Sequence, residues 1–82
     1  MFATKMRIRK IREIEIKGLG ETIKQARLKS DKSLEQICDE VGVSRTYWYD
    51  LEKETLKGAL SFDNLQKIES TLNIDLGVEF ND

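Results

Sequence analysis

The chain has 82 residues, of which 39% are hydrophobic and 35% are charged, and its formal net charge is −1. This length suits one domain rather than two, and we expect a single domain over residues 1–82. Because the chain has no histidine, one cysteine and no glycine-rich phosphate loop, its composition argues against the usual zinc sites, histidine-assisted nucleophiles and phosphate cofactors, and favours a protein that is not an enzyme.

The N-terminal part is predicted to form a strand or arm over residues 6–17. The stretch EIEIK at 13–17 alternates strictly, which is the period of a half-buried strand. Met6 and Ile8 continue the same parity upstream, whereas Ile11 breaks it, as a bulge or a frayed start would.

Helical periodicity begins directly after this strand. The first helical segment is predicted for about residues 19–29, where Leu19, Ile23 and Ala26 recur at helical spacing. The second begins after Ser33, because SLEQ has the pattern of a capping box, in which serine caps the helix and glutamine returns to the cap amide.

A tight turn separates the second helical segment from the third. Gly42 suits a left-handed C-terminal stop, and Ser44 can cap a new helix that begins at about Arg45. A fourth helix, capped by Ser61, is predicted for about residues 62–72.

The C-terminal stretch IDLGVEF, residues 74–80, again alternates apolar and polar residues and predicts a strand. We expect this strand to pair antiparallel with the N-terminal one, with one apolar face on the helices. The free strand edges then offer a route to a homodimer. The fold class expected from this order is mainly α, with short terminal strands.

Charge changes sign along the chain. Residues 1–17 contain six basic and two acidic side chains, whereas residues 54–82 contain two basic and six acidic ones. A basic N-terminal part indicates an anionic partner on one side of the protein. The alternative is that the two oppositely charged ends attract each other within the fold.

The sequence predicts a cytoplasmic protein with no membrane partner. No apolar run approaches the roughly 20 residues that cross a bilayer, and the basic N-terminus lacks the features of a secretory signal. A single cysteine, Cys38, fits a reducing compartment.

Three aromatic residues, Tyr47, Trp48 and Tyr49, stand side by side in the third helical segment. They cannot all face one core, because neighbours on a helix lie about 100° apart. Trp48 shares an inward stripe with Val43 and Leu51, so we predict that it is part of the core. The two tyrosines then flank this stripe.

The order of helix, glycine turn and helix is the layout of a DNA-binding helix-turn-helix. A closer likeness lies in the stretches LGETIKQAR, SLEQICDEVGVSRTYWYDLE and LQKIESTLNI. Over residues 19–74 the chain resembles the Cro and phage-repressor-like (XRE) helix-turn-helix family. This resemblance implies a four- to five-helix repressor-like domain that regulates transcription. It also implies that the third helix enters the major groove of double-stranded DNA, with the protein bound as a dimer.

Roles for individual residues follow from side-chain chemistry and from this resemblance. The base-contacting residues are predicted to be Arg45, Thr46, Tyr49 and Asp50, among which arginine suits guanine best. Phosphate contacts are predicted for Ser33, Ser44, Tyr47, Lys53 and Lys57, with the amide-rich starts of the second and fourth helices. The resemblance further implies a structural ion pair between Arg27 and Glu52.

Two positions depart from the family pattern. Leu34 stands where family members often have a glutamine that binds the DNA backbone, and Glu54 stands where glycine is usual. With the acidic C-terminal part and the strand edges, these departures leave an alternative function open. The chain would then be an interaction module of antitoxin type that binds a partner protein, with DNA binding secondary.

Overall fold

Two strands precede four helices, and a third, very short strand lies between the last two helices. The computed structural model describes residues 5–9 and 13–78 of the chain. In chain order the elements are β1 (Lys5–Arg9), β2 (Glu13–Lys17), α1 (Leu19–Lys29), α2 (Leu34–Val41), α3 (Arg45–Lys53), β3 (Leu60–Ser61) and α4 (Phe62–Leu72). Within these ranges every helix is too short and too polar to span a bilayer.

Serine residues cap the N-terminal ends of three of the helices. The side chains of Ser33, Ser44 and Ser61 each accept a hydrogen bond from a backbone N–H three residues later. This contact satisfies one of the N–H groups that a helix start leaves without a partner. The predicted helix starts are confirmed, although the side-chain amide of Gln36 donates to Glu40 at 3.1 Å rather than completing the capping box.

The strands form a small sheet in the order β2-β1-β3. β1 pairs antiparallel with β2, so that Ile8 lies opposite Ile14, and pairs parallel with β3. Met6 and Ile8 are buried, which agrees with the predicted parity. The predicted strand over residues 6–17 is therefore two strands, and Ile11 lies outside the described residues.

All four helices contribute to one apolar core, which also receives side chains from β1 and β3. Its buried members are Met6, Ile8, Leu19, Ile23, Ile37, Cys38, Val41, Trp48, Leu51, Leu60, Leu65, Ile68 and Leu72. Burial raises the pKa of the Cys38 thiol, so this side chain packs as a small hydrophobe. The mainly α fold class with short strands is confirmed.

The prediction of a C-terminal strand that pairs with the N-terminal one is wrong for the described part of this segment. Residues 74–78 form no strand, and 79–80 lie outside the described residues. β1 already has β2 on one side and β3 on the other. Backbone donors of the C-terminal segment are also engaged locally, since Leu76 N–H donates to Glu69 and Gly77 N–H donates to Asp75.

The alternation in this segment nevertheless has a structural cause. Ile74, Leu76 and Val78 pack partly buried against the core. A segment that turns alternate residues towards a core shows the same period as a strand, which is why the pattern resembled one.

A polar cluster fixes the end of α4 next to α2. Lys32 Nζ donates to the Thr71 carbonyl oxygen at 2.8 Å and lies 2.6 Å from Glu40 Oε1, which also accepts from the Thr71 hydroxyl. Lys32 thus supplies a cation to a helix end whose last turn has none of its own. Hydrogen bonds from Lys32, Thr71 and Gln36 lower the pKa of Glu40 to about 2. The stabilisation is therefore complete above its ordinary pKa and is lost as the pH falls towards 2.

α3 ends with a residue in a strained conformation. Glu54 has φ 59°, in the left-handed region, and its backbone N–H donates to carbonyl oxygens of the last turn of the helix. Its N–H donates to Leu51 O, and the next N–H, of Thr55, donates to Asp50 O, which is the Schellman pattern usually served by glycine. In addition, Glu54 Oε1 is buried without a hydrogen-bond partner.

We predict that Glu54→Gly raises the free energy of unfolding by about 1 kcal/mol, because the left-handed conformation costs a side-chain-bearing residue more than glycine. The change also removes a buried oxygen that has no partner and a negative charge at a helix C-terminus. Urea denaturation measures the effect.

Asn73→Gly is the matched control, since Asn73 ends α4 at φ 54° and asparagine tolerates this conformation. It should change stability by less than Glu54→Gly does. Equal effects of the two substitutions, or a loss of stability in Glu54→Gly, would contradict the assignment of strain to Glu54.

Candidate nucleic-acid interface

The turn between α2 and α3 sets the direction in which α3 leaves. Gly42 has φ 84° and ends α2. Its N–H and that of Val43 both donate to Cys38 O, at 2.8 and 3.0 Å. Because Ser44 immediately caps α3, only three residues separate the two helices.

Trp48 anchors α3 in the core. It has no exposed surface, and its indole Nε1–H donates to Glu52 Oε2 at 2.6 Å. A buried indole needs such a partner because its N–H would otherwise lose its hydrogen bond to water. Trp48 and Glu52 are one helical turn apart, so α3 satisfies this requirement from its own sequence.

The same carboxylate joins α3 to α1. Arg27 Nε donates to Glu52 Oε2 at 2.5 Å and Arg27 Nη2 to Glu52 Oε1 at 3.0 Å. The side chains are 18% and 6% exposed, so this two-point contact lies largely out of water. The hydrogen bond to Glu52 raises the pKa of Arg27, which keeps the guanidinium charged.

A glycine lets the two helices approach closely at the end of α3. A Cβ atom at Gly20 would lie 2.4 Å from Glu52 O and 2.9 Å from Leu51 O. Both neighbours are backbone atoms, which cannot move aside as a side chain end would. Only glycine fits between α1 and the last turn of α3, and α3 is therefore held on both its core side and its C-terminal end.

The side of α3 away from the core carries the predicted base-contacting residues. Arg45, Thr46 and Tyr49 are exposed, and Tyr49 has 46% of its surface open to solvent. The Arg45 side chain is 63% exposed and its Nη2 lies 3.6 Å from Glu35 Oε2. An exposed pair of this kind contributes at most about 1 kcal/mol, so a stronger acceptor can redirect the guanidinium.

Asp50 differs from the other predicted base-contacting residues. It is half-buried, and its Oδ1 accepts a hydrogen bond from the Thr55 hydroxyl at 3.3 Å. Asp50 therefore helps to hold the chain as it leaves α3. This second role was not visible in the sequence.

The predicted phosphate-contacting residues do not form one group. Ser44 and Tyr47 line a groove that the segment 56–59, with Lys57, closes on its other side, and Thr46 and Asp50 belong to the same groove. Lys53 lies apart from it, beside Tyr49 in the groove between α1 and α3. Ser33 is exposed at the start of α2.

Both serines in this set already serve as helix caps. The oxygen of each hydroxyl accepts from a backbone N–H, which leaves the hydroxyl proton available as a donor because a hydroxyl both donates and accepts. Capping and contact with a phosphate oxygen are therefore compatible.

Two contacts of the site were missed in the sequence. The bond between Trp48 and Glu52 joins residues i and i+4 on a helix, and this spacing could have revealed it. Arg7 Nη2 donates to the carbonyl oxygen of Lys57 at 3.2 Å. These residues are 50 positions apart, and no local pattern connects them.

Comparison with known proteins gives one match. The model of the helix-turn-helix family HTH_3, of the XRE or Cro/C1 type, matches residues 23–78. The chain belongs to this family, whose members are DNA-binding regulators. No curated protein and no solved structure matches the chain. The matched range contains α2, the turn and α3, and it leaves out β1 and β2.

We predict that Arg27→Ala lowers the free energy of unfolding by about 3 kcal/mol, because removing one partner leaves a buried charge unpaired. Urea denaturation followed by tryptophan fluorescence measures this loss directly, since Trp48 is the only tryptophan in the chain.

Lys29→Ala is the matched control, because Lys29 is an exposed cation in the same helix. It should change stability by less than about 0.5 kcal/mol. If the two variants lose the same stability, the contact between Arg27 and Glu52 does not hold α1 on α3.

Proposed function

We propose that this protein is a sequence-specific regulator of transcription that places α3 in the major groove of double-stranded DNA. The observation that carries the proposal is the division of α3 into two sides. Its inner side is fully buried at Trp48, while the N-terminal end of its outer side presents the exposed guanidinium of Arg45. An α-helix presented in this way fits the width of the major groove.

In this proposal the outer side of α3 reads base edges. Arg45 donates two hydrogen bonds to O6 and N7 of a guanine, which requires it to leave Glu35. Thr46 and Tyr49 contact neighbouring bases, and Asp50 accepts a hydrogen bond from a cytosine amino group. Arg45 is the strongest of these candidates because its side chain is exposed and its chemistry discriminates best.

Phosphate contacts set the position of α3 without reading sequence. We assign them to Ser33, Ser44, Tyr47, Lys53 and Lys57. Lys57 has the clearest placement, because it is exposed on the segment that closes the groove beside the start of α3. The first turns of α2 and α4 add backbone N–H groups.

The proposal includes a homodimer. Within the described residues β2 pairs with β1 on one side only, so its other edge has the hydrogen-bonding groups to receive a β2 strand from a second copy. This edge replaces the pair of terminal strands expected from the sequence, since residues 74–78 form no strand. A dimer would place two copies of α3 on two half-sites.

The same edge supports the second candidate function, an interaction module of antitoxin type. A partner protein that adds a strand to β2 would use the backbone contacts that a second copy would use. The two candidates differ in what the outer side of α3 does. Only the DNA-binding regulator requires Arg45 to distinguish base pairs.

Selection of bound duplexes from a random pool tests the proposed function. We predict a recurrent sequence, built of two symmetric half-sites about 10 base pairs or a multiple of this apart if the dimer binds. Arg45→Ala should lose the preference at one position of each half-site, which for a two-point guanine contact corresponds to about 1–3 kcal/mol.

Lys57→Ala should instead weaken the selected duplex and a mixed-sequence duplex by the same factor. Lys29 lies on α1, outside the proposed interface, so Lys29→Ala should leave the affinity for both duplexes unchanged. A pool without any enriched sequence, or an Arg45→Ala variant that keeps the full preference, would count against base reading by α3.

A further inference from the structure

The N-terminal hairpin, formed by β1 and β2, lies against the segment that flanks α3. β1 pairs with β3 so that Arg9 lies opposite Ser61, and β3 directly follows the segment 56–59. Arg7 Nη2 donates to the Lys57 carbonyl oxygen at 3.2 Å. The hairpin is therefore tied to the same segment that closes the groove beside Ser44 and Thr46.

The two sides of β1 have opposite character. Met6 and Ile8 are buried in the core, and side chains alternate along a strand. Arg7 and Arg9 therefore lie on the other side of the sheet, where Arg7 is half-buried and Arg9 is exposed. A strand whose inner positions are apolar and whose outer positions are arginines presents its charge away from the core.

The hairpin as a whole is basic. Its alternating charged positions comprise four cations and two carboxylates, and in the backbone register each glutamate lies opposite an arginine. In the backbone register Lys5 lies opposite Lys17. An excess of positive charge remains even though both glutamates lie opposite arginines.

The rest of the chain gives α3 little electrostatic support. Residues 18–53 contain six basic and seven acidic side chains, and residues 54–82 contain two basic and six acidic ones. Contacts between cations and phosphates supply most of the nonspecific affinity of a protein for DNA. A protein that binds DNA through α3 therefore needs positive charge from another element, and residues 1–17 are the only part with an excess of it.

We infer that the N-terminal hairpin is a second DNA-binding element, whose exposed Arg9 contacts the sugar-phosphate backbone beside the groove that α3 enters. This inference rests on the proposed function of α3. Arg7 has a positioning role, because it holds the 56–59 segment against β1. The hairpin adds affinity but reads no bases, since strand-borne arginines on a phosphate backbone carry no sequence information.

The test compares Arg9→Gln with Lys29→Gln, which removes the same charge from an exposed site on α1. Lys29 lines a groove with Ile74 and Leu76 rather than with α3. The dissociation constants of both variants and of the wild type are measured between 50 and 200 mM salt. Two duplexes of equal length are used, one selected by the wild-type protein and one of mixed sequence.

We expect Arg9→Gln to weaken binding to both duplexes by the same factor. One lost phosphate contact makes the negative slope of log K against log salt less steep by about 0.9. The loss of affinity relative to the wild type should therefore be about threefold smaller at 200 mM than at 50 mM. Lys29→Gln should keep the wild-type slope. Thermal unfolding of both variants at wild-type temperature would show that neither effect comes from lost stability.

Duplex length provides a second measurement. Trimming base pairs stepwise from each end of the selected duplex should abolish the advantage of the wild type over Arg9→Gln once the flanking phosphates are gone. The preference for the selected sequence should remain at that length.

The inference is overturned if Arg9→Gln has the same salt slope as the wild type, or if its deficit does not depend on duplex length. In either case a base preference that still depends on Arg45 would leave the proposed function standing. If the wild type binds both duplexes equally and Arg45→Ala changes nothing, base reading by α3 fails instead, whatever Arg9 does.

Discussion

The carboxylate of Glu52 is the group on which the arrangement of this domain depends. It accepts two hydrogen bonds from Arg27 on α1 and one from the indole of Trp48 on α3. The two contacts satisfy different buried groups, since the indole N–H needs an acceptor and the carboxylate needs a counterion. Because one group solves both, Trp48 can fill the core while α3 keeps a fixed orientation against α1. The outer side of α3 is then presented at a constant angle.

The backbone is strained at the end of α3, next to its close approach to α1. Gly20 provides the space that the contact requires, and Glu54 occupies the left-handed position immediately after the helix. A glycine at position 54 would suit the backbone better, and the buried, unpartnered Glu54 Oε1 adds to the cost. The strain therefore lies beside the interface rather than within it. The geometry of Arg45 and Thr46 at the opposite end of α3 does not depend on it.

Local signals in the sequence were sufficient for the helices. Ser33, Ser44 and Ser61 mark helix starts because capping acts between a side chain and a backbone group three residues away. Gly42 marks the end of α2 because few residues other than glycine adopt its backbone conformation readily. The inward position of Trp48 follows from helical periodicity, and the ion pair between Arg27 and Glu52 was implied by the family resemblance.

Contacts between distant parts of the chain could not be predicted in the same way. Alternation in residues 74–80 indicated a strand, but it does not specify a partner, and both sides of β1 are occupied by β2 and β3. The contact from Arg7 to Lys57 depends on how β1 and β3 meet, which no pattern within either segment encodes. The groove beside α3 was also not predictable, because it is formed by α3 and a segment that returns after it. The sequence therefore indicates which residues have suitable chemistry, while their grouping depends on the fold.

The most direct test of the central claim is to measure hydrogen exchange at the indole N–H of Trp48 by NMR. The chain has one tryptophan, so the signal is unambiguous. If Glu52 holds the indole inside the core, the indole proton exchanges as slowly as the most protected core amides. Glu52→Ala then raises the exchange rate of the indole proton by more than the loss of global stability alone explains. An indole proton that exchanges as fast as one in an unfolded chain, or one that is indifferent to Glu52→Ala at matched stability, would contradict this structure of α3.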